Sequence, residues 1–213
     1  MRGERSAIVL CLALFAVLLV AFVVGWWSAP PSPQERLTQT AGVEMFAGGQ
    51  VGDLSFINEY GDAVSLADLK GRWSLLFFGY TYCPDVCPTA LQKMGALQQS
   101  LGKDGKAVKY IFISVDTERD TPETMAPYVT SRGFPQPLIG LSGTADQIDT
   151  AVSAYRVYAQ KVADPTSAAE FTYDHSDLII LMNSDGEFED IFTRDDSLPK
   201  MAGRVKLLLN QEG

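Results

Sequence analysis

Basic residues are scarce in this 213-residue sequence. It contains 17 lysines and arginines against 26 aspartates and glutamates, which gives a formal net charge of −9. This charge disfavours a nucleic acid or an anionic lipid surface as partner, because both are negatively charged themselves. It fits a soluble protein partner or a cation better. The sequence therefore argues against a nucleic-acid-binding protein.

Histidine and cysteine are also few, with one His and three Cys in the whole chain. Cys11 lies inside a long apolar run, where we expect a packing or lipid-facing residue. Only Cys83, Cys87 and His175 then remain for metal or thiol chemistry. A structural zinc site usually takes four such ligands. Three ligands are too few for one.

The longest apolar segment lies near the N-terminus. Residues 7–27 contain no charged side chain, and as a helix they would span about 31 Å, the hydrocarbon thickness of a bilayer. We predict that this segment is one transmembrane anchor. Arg2 and Arg5 precede it, so residues 1–6 should be cytoplasmic and the rest of the chain should lie across the membrane. A cleaved signal peptide is the alternative, but the run is long for one and no A-x-A site follows.

The sequence after the anchor divides into a tether and one domain. Residues 28–49 include SAPPSP and AGG, a composition typical of an extended linker with a Gly-rich hinge. Residues 50–213 are long enough for one domain with its own core. No internal repeat is visible there.

Strand and helix patterns alternate through residues 50–213. A hairpin is predicted over 54–66, strands over 74–80, 109–115 and 138–141, helix starts at 120–123 and 144–147, a second hairpin over 177–192, and a last helix over 198–210. One further helix should bury Leu91, Met94, Leu97 and Leu101, which recur at helical spacing. This order indicates an α/β sandwich around a mixed sheet.

Two cysteines stand four residues apart in TYCPDVCP, residues 81–88. The segment follows a predicted buried strand and precedes a predicted helix, and sites are often built in such loops. One helical turn separates Cys83 and Cys87, so their sulfurs should share a face. Backbone N–H groups at a helix start favour thiolate. A disulfide closing so small a loop adds little stability, so we interpret the pair as functional.

The spacing of the cysteines and the single histidine favour a metal site. Cys83 and Cys87 are separated by three residues, whereas a C-x-x-C motif has two. This spacing suits the binding of an ion at least as well as it suits dithiol exchange. His175 is predicted in a loop, beside Asp174, whose carboxylate could fix the ring tautomer. Two thiolates and one imidazole suit Cu(I), and Cu(II) with a further oxygen ligand. We therefore predict a copper site.

Three motifs together resemble the Sco/SenC family of membrane-tethered copper proteins. They are FFGYTYCPDVCP, ISVDTERDTPE and YDHS, in that order between Phe46 and the C-terminus. The resemblance implies a thioredoxin-like fold with an added N-terminal β-hairpin, and copper ligation by Cys83, Cys87 and His175. It also implies that Asp116 tunes the site.

The same resemblance implies a function and a location. The protein would help to assemble the binuclear CuA centre of cytochrome c oxidase. Its partners would be the oxidase subunit that carries CuA, an upstream copper donor and the inner membrane, with the domain in the periplasm. We expect a chaperone without enzymatic activity, other than the thiol–disulfide exchange that the cysteine pair would support.

Other functions of the same residues stay open. A thiol–disulfide reductase would use Cys83 and Cys87 as a redox-active pair to keep the oxidase copper-site cysteines reduced, and it would not need His175. A peroxide-reducing enzyme shares the implied fold, but those enzymes resemble this chain less because Tyr80 stands where they carry Thr. A copper-dependent sensor is the third alternative.

Overall fold

The structure is a computed structural model that describes Leu19, residues 54–164 and residues 170–211. Apart from Leu19, the predicted anchor at 7–27 lies outside the described residues, as do the predicted cytoplasmic segment 1–6 and the tether 28–49. Within the described ranges, no helix combines the length and the apolar character that crossing a membrane requires.

Nine strands and five α-helices are found in the described part of the chain. The strands are β1 (Ser55–Asn58), β2 (Ala63–Ser65), β3 (Ser74–Gly79), β4 (Lys109–Ser114), β5 (Ile139–Ser142), β6 (Ala159–Ala163), β7 (Phe171–His175), β8 (Ile179–Met182) and β9 (Phe188–Phe192). The helices are α1 (Val86–Leu101), α2 (Lys103–Ala107), α3 (Pro122–Val129), α4 (Ala145–Ala154) and α5 (Leu198–Leu209). A 3₁₀ turn spans Leu66–Leu69.

Seven of the strands form one mixed sheet in the order β2-β1-β5-β4-β3-β8-β9. The central strands β3, β4 and β5 are parallel, whereas β8 pairs antiparallel with β3 and β1 pairs antiparallel with β5. The predicted N-terminal hairpin is β1–β2, at one edge of the sheet. The predicted α/β architecture with a mixed central sheet is confirmed.

Strand β3 is the centre of the core, and every one of its residues is buried. Successive side chains of a strand point to opposite faces. Phe77 accordingly packs on Phe112 on one face, and Phe78 packs on Tyr155 on the other. Burying a side chain of this size contributes about 1.5–3 kcal/mol. Because both faces of β3 are covered, its sequence is a continuous apolar run, as the prediction for residues 74–80 assumed.

Four of the five helices follow the sequence signals, and α2 is the one that was not predicted. Helix α1 buries Leu91, Met94, Leu97 and Leu101, the four residues predicted for its inner face. Helix α4 begins with the predicted capping box, in which Thr144 and Gln147 cap each other's backbone N–H groups. Helix α3 is capped by the Thr121 side chain and is only eight residues long, with Pro127 inside it.

The predicted loop around His175 is wrong, because His175 is the last residue of strand β7. Strands β6 and β7 pair antiparallel and form a separate two-stranded sheet. All of their residues are exposed or half-buried, so neither strand needs a continuous apolar run. Without such a run the sequence pattern gave no strand signal there.

Two helical glycines should respond oppositely to alanine. A Cβ at Gly95 in α1 would lie 2.0 Å from the carbonyl oxygen of Gly133, whereas a Cβ at Gly203 in α5 would meet nothing within 4 Å. We expect Gly95→Ala to destabilise the fold by about 1–3 kcal/mol or more, because the added methyl group overpacks this position. Gly203→Ala should stabilise it by about 0.8–1 kcal/mol, because alanine is the better helix former. Thermal unfolding followed by circular dichroism measures both, and equal melting temperatures would contradict the prediction.

Candidate metal centre

Both cysteines lie at the junction between β3 and α1. Cys83 belongs to the turn that follows β3, where its backbone N–H donates to the Tyr80 carbonyl over 3.3 Å. Cys87 is the second residue of α1, and its backbone N–H donates to the Cys83 Sγ atom over 3.4 Å. An amide from the first turn of the helix therefore points directly at the Cys83 sulfur, which favours the thiolate.

The fold brings His175 to the two cysteines. Its Nε2 atom lies 3.2 Å from Cys87 Sγ, and the ligand atoms of Cys83, Cys87 and His175 all lie within 4.8 Å of one another. Among the residues that the structure describes, this is the only group of three or more His, Cys, Asp or Glu side chains placed to hold an ion. Metal–sulfur bonds of about 2.3 Å and metal–nitrogen bonds of about 2.0 Å put ligand atoms of one ion roughly 3.5–4 Å apart. The three side chains fit a metal with small shifts.

The ring orientation of His175 is set by a backbone carbonyl. The Nδ1 atom lies 2.9 Å from the Ser176 carbonyl oxygen, which can only accept, so Nδ1 carries the proton and donates it. In the neutral ring the lone pair is then on Nε2, the atom that faces the sulfurs. The predicted contact of Asp174 with the ring is not what the structure has, since Asp174 is exposed. Neighbouring residues of a strand point to opposite faces.

Aromatic side chains pack against the candidate metal ligands on the side of the core. The His175 ring meets Phe77 and Tyr80 edge to face, with centroid distances of 5.9 and 5.8 Å. Cys87 is fully buried, Cys83 is 9% exposed, and the neighbouring Tyr82 is 57% exposed. Cys83 and the half-buried His175 are therefore the ligands closest to solvent, and Cys87 is the one farthest from it.

The surroundings of the two thiols shift their pKa values in opposite directions. Hydrogen bonds from the Cys87 thiol, from His175 and from backbone N–H groups lower the pKa of Cys83 to about 3, although burial opposes this. The pKa of Cys87 is raised, because its proton is held in the bond to Cys83 and its sulfur is buried. Burial opposes a charged imidazole, but the bonds to Cys83 and to the Ser176 carbonyl raise the pKa of His175 overall.

Two buried carboxylates lie beyond the cysteines. Asp116 is fully buried and accepts from the Arg119 backbone N–H while pairing with the Arg119 side chain. Asp120 accepts from the backbone N–H of Thr81 over 2.8 Å and from the hydroxyls of Thr81 and Ser114. Burial raises the pKa of Asp120, against the effect of those hydrogen bonds. Asp120 thus fixes the start of the cysteine segment directly, whereas Asp116 acts on Arg119.

Sequence reasoning assigned Asp120 only to a helix start and did not single out Gly79. A Cβ at Gly79 would lie 2.7 Å from Cys87 Sγ and 3.0 Å from the rings of Phe77 and Phe112. Only glycine leaves room for the sulfur. The signal was present, because a glycine inside an apolar strand often marks a close approach.

Comparison with known proteins identifies similar chains along most of the sequence. Residues 45–210 match the family model described as SCO1/SenC. The Protein SCO2 homolog, mitochondrial, of Homo sapiens is 36% identical over 198 residues, which cover 91% of this chain and 73% of that protein.

Two solved structures share the fold. The copper-bound ScoI of Bradyrhizobium japonicum is 44% identical with a TM-score of 0.65, and the match covers 73% of this chain and 97% of that one. The copper-bound ScoI of Arabidopsis thaliana is 33% identical with a TM-score of 0.68, covering 75% of this chain and 98% of that one.

Proposed function

The chain belongs to the SCO1/SenC family, and from this we propose that it is a membrane-tethered copper chaperone. It binds copper through Cys83, Cys87 and His175 and helps to assemble the binuclear CuA centre of cytochrome c oxidase. The observation that carries the proposal is the approach of these three ligand atoms to within 4.8 Å of one another. The copper-bound structures of two relatives support the choice of metal.

The donor set suits copper as a cargo. Thiolates select Cu(I), and an imidazole adds a borderline nitrogen ligand that Cu(II) accepts. Binding displaces the remaining proton of the thiol pair, which is on Cys87, so affinity should fall as the pH falls. Cys87 is fully buried, Cys83 is 9% exposed and His175 is half-buried. Ligands of a recipient protein therefore meet the ion on the side of Cys83 and His175, and transfer begins by exchange there.

Titration of the purified protein with Cu(I) and Cu(II) tests the proposal. The unchanged chain should bind one ion, and Cys83→Ser and Cys87→Ser should each lose it, because a single thiolate remains. Cys11→Ser is the matched control and should bind copper normally. A chain that binds neither oxidation state would refute the proposal.

A thiol–disulfide reductase is the second candidate. The lowered pKa of Cys83 makes it a thiolate at neutral pH, and Cys87 beside it keeps its proton. A thiolate next to a protonated thiol is the arrangement that attacks and then resolves a mixed disulfide. The substrate would be the oxidised cysteine pair of the oxidase copper site.

The proposed location is the inner membrane, with one anchor at residues 7–27 and the domain in the periplasm. The partners are the oxidase subunit that carries CuA and an upstream copper donor. A reporter that is active only in the cytoplasm, fused after Gly213, should be silent, because Arg2 and Arg5 hold the N-terminus inside. The same reporter fused to a chain that lacks residues 7–27 is the control and should be active. An active reporter on the full chain would contradict the orientation.

A further inference from the structure

The proposed ligand His175 is on a different sheet from the element that carries the cysteines. Strands β6 and β7 pair with each other in a two-stranded sheet, whereas the cysteine segment continues from β3 of the large sheet. Only three residues connect His175 to β8 of the large sheet, and its position over the sulfurs depends on this connection and on side-chain contacts between the two sheets. One of them is the 2.6 Å hydrogen bond between Tyr80 and Thr172.

Arg119 makes another connection, beside the ring contacts of Tyr80 with Tyr173 and His175. Its side chain is only 16% exposed and pairs with the fully buried Asp116, so it is fixed at one end. At the other end its Nη1 atom donates to the Phe171 carbonyl oxygen over 3.1 Å, and the guanidinium lies 3.7 Å from the centroid of the Phe171 ring. Phe171 is the first residue of β7 and His175 is the last.

Arg119 also reaches the cysteine segment. Its guanidinium lies 4.9 Å from the ring centroid of Tyr82, the residue before Cys83. One planar cation is thus in contact with the strand that carries the imidazole and with the loop that carries the thiolates. Guanidinium groups can stack on rings and donate in a fixed direction at the same time, which an ammonium cannot do.

Lys161 provides an internal comparison. Its Nζ atom lies over the same Phe171 ring at the same distance of 3.7 Å. It pairs with Glu118, however, and both side chains are well exposed, at 42% and 57%. Exposed pairs of this kind are screened by water and hold little in place. Arg119, whose side chain is only 16% exposed, should therefore position the strand, and Lys161 should not.

We infer that Arg119 is a positioning residue that holds His175 over Cys83 and Cys87 without touching the metal. The inference rests on the proposed function, since it gives that copper site its third ligand. It implies selectivity between oxidation states. Cu(I) can stay on the two thiolates, which lie outside the β6–β7 hairpin, while Cu(II) depends on the imidazole. Loosening the Arg119 contact should weaken Cu(II) binding and spare Cu(I) binding.

Two variants test the contact from its two ends. Arg119→Lys keeps a cation beside the buried Asp116, which removal of the charge would leave unpaired. Phe171→Leu leaves the ion pair intact and removes the ring. Each should raise the Kd for Cu(II) about tenfold, the lower range for residues that orient metal ligands, and change the Cu(II) spectrum. The Kd for Cu(I) should stay within about twofold of the unchanged chain, as expected if both thiolates remain in place.

The double variant and a control sharpen the result. Arg119→Lys combined with Phe171→Leu should be no worse than Arg119→Lys alone, because the guanidinium–ring contact is already lost in Arg119→Lys, whereas the bond to the Phe171 carbonyl survives in Phe171→Leu. Lys161→Met is the control and should leave both Kd values and the spectrum unchanged. Equal Cu(II) binding by the unchanged chain, Arg119→Lys and Phe171→Leu would overturn the inference, as would an equal loss in Lys161→Met.

A measurement on the metal-free protein separates this inference from the proposed function. The chain has a single histidine, so its imidazole ¹⁵N signals in an NMR spectrum are unambiguous. They should shift or broaden in Arg119→Lys and in Phe171→Leu but not in Lys161→Met. If the unchanged chain binds no copper, the proposed function fails while these signals still decide the role of Arg119. Unaltered signals in both variants would overturn that role.

Discussion

His175→Ala is expected to abolish Cu(II) binding and to leave a reducible Cys83–Cys87 pair. In the group formed by Cys83, Cys87 and His175, the imidazole is the one nitrogen ligand. Cu(II) needs such a ligand more than Cu(I) does. Cu(I) should still bind to the two thiolates. Titration with each oxidation state, together with a thiol count before and after reduction, measures both properties.

The same substitution distinguishes the chaperone from the reductase in cells. A strain with His175→Ala should contain cytochrome oxidase that is poorly loaded with copper, and added copper should restore it in part by mass action. Dithiol exchange does not need the imidazole, so a reductase would leave oxidase activity near normal in this strain and lose it in Cys83→Ser or Cys87→Ser.

Asp174→Ala is the matched control for this experiment. Asp174 precedes His175 in β7 but is exposed, so its removal should change neither Cu(II) binding nor oxidase activity. A strain with His175→Ala that has normal oxidase activity without added copper would contradict the chaperone proposal. A strain with Asp174→Ala that also contains copper-poor oxidase would show that the loss of activity comes from a disturbed strand β7 and not from the missing imidazole.

The parts of the fold that the sequence predicts well are those with a local cause. A strand buried on both faces, such as β3, must be apolar throughout. A helix packed by one face must repeat its apolar residues at helical spacing, as α1 does with Leu91 and Met94. A capping box such as that of Thr144 needs only neighbouring residues. Each of these signals lies within one short segment.

The features that sequence reasoning missed depend on contacts between distant segments. Strands β6 and β7 are half-exposed, and the seven residues between them gave only a polar loop signal. Asp120 contacts Thr81, 39 positions earlier in the chain, and no local pattern reports such a distance. The carbonyl that orients the His175 ring belongs to the backbone of Ser176. Every residue type has a carbonyl, so its role leaves no trace in the sequence.

The candidate site was predicted from chemistry and not from position. Cys83, Cys87 and His175 were the only Cys and His residues left outside the apolar N-terminal run, and a set of three is enough for copper but short for structural zinc. Their approach to within 4.8 Å could not be predicted from spacing, since 87 residues separate Cys87 from His175. It requires the end of β7 to pack against the end of β3, as the contacts of His175 with Phe77 and Tyr80 show, and this depends on the whole fold.

Oxidation of Cys83 and Cys87 to a disulfide is expected to abolish the binding of Cu(I) and of Cu(II). Forming the S–S bond removes two electrons and the one proton that remains on Cys87, and the sulfurs are then no longer thiolates that could bind a metal. The sulfurs lie within 4.8 Å of each other, so a modest movement brings them to the bond length of about 2.05 Å. Copper that remains with the protein after oxidation and desalting measures the effect, and reduction should restore binding.

The remaining cysteine must be excluded as the cause of any loss. Cys11 could link two chains when oxidised, so the same treatment of a Cys11→Ser chain should give the same loss of copper and the same recovery on reduction. His175 is unchanged by this oxidation and would be the one ligand of the three still able to bind, which is too few to retain Cu(I) or Cu(II) through desalting. Copper content that stays constant in a fully oxidised sample would therefore refute both thiolates as ligands, because the sulfurs of a disulfide cannot hold the ion.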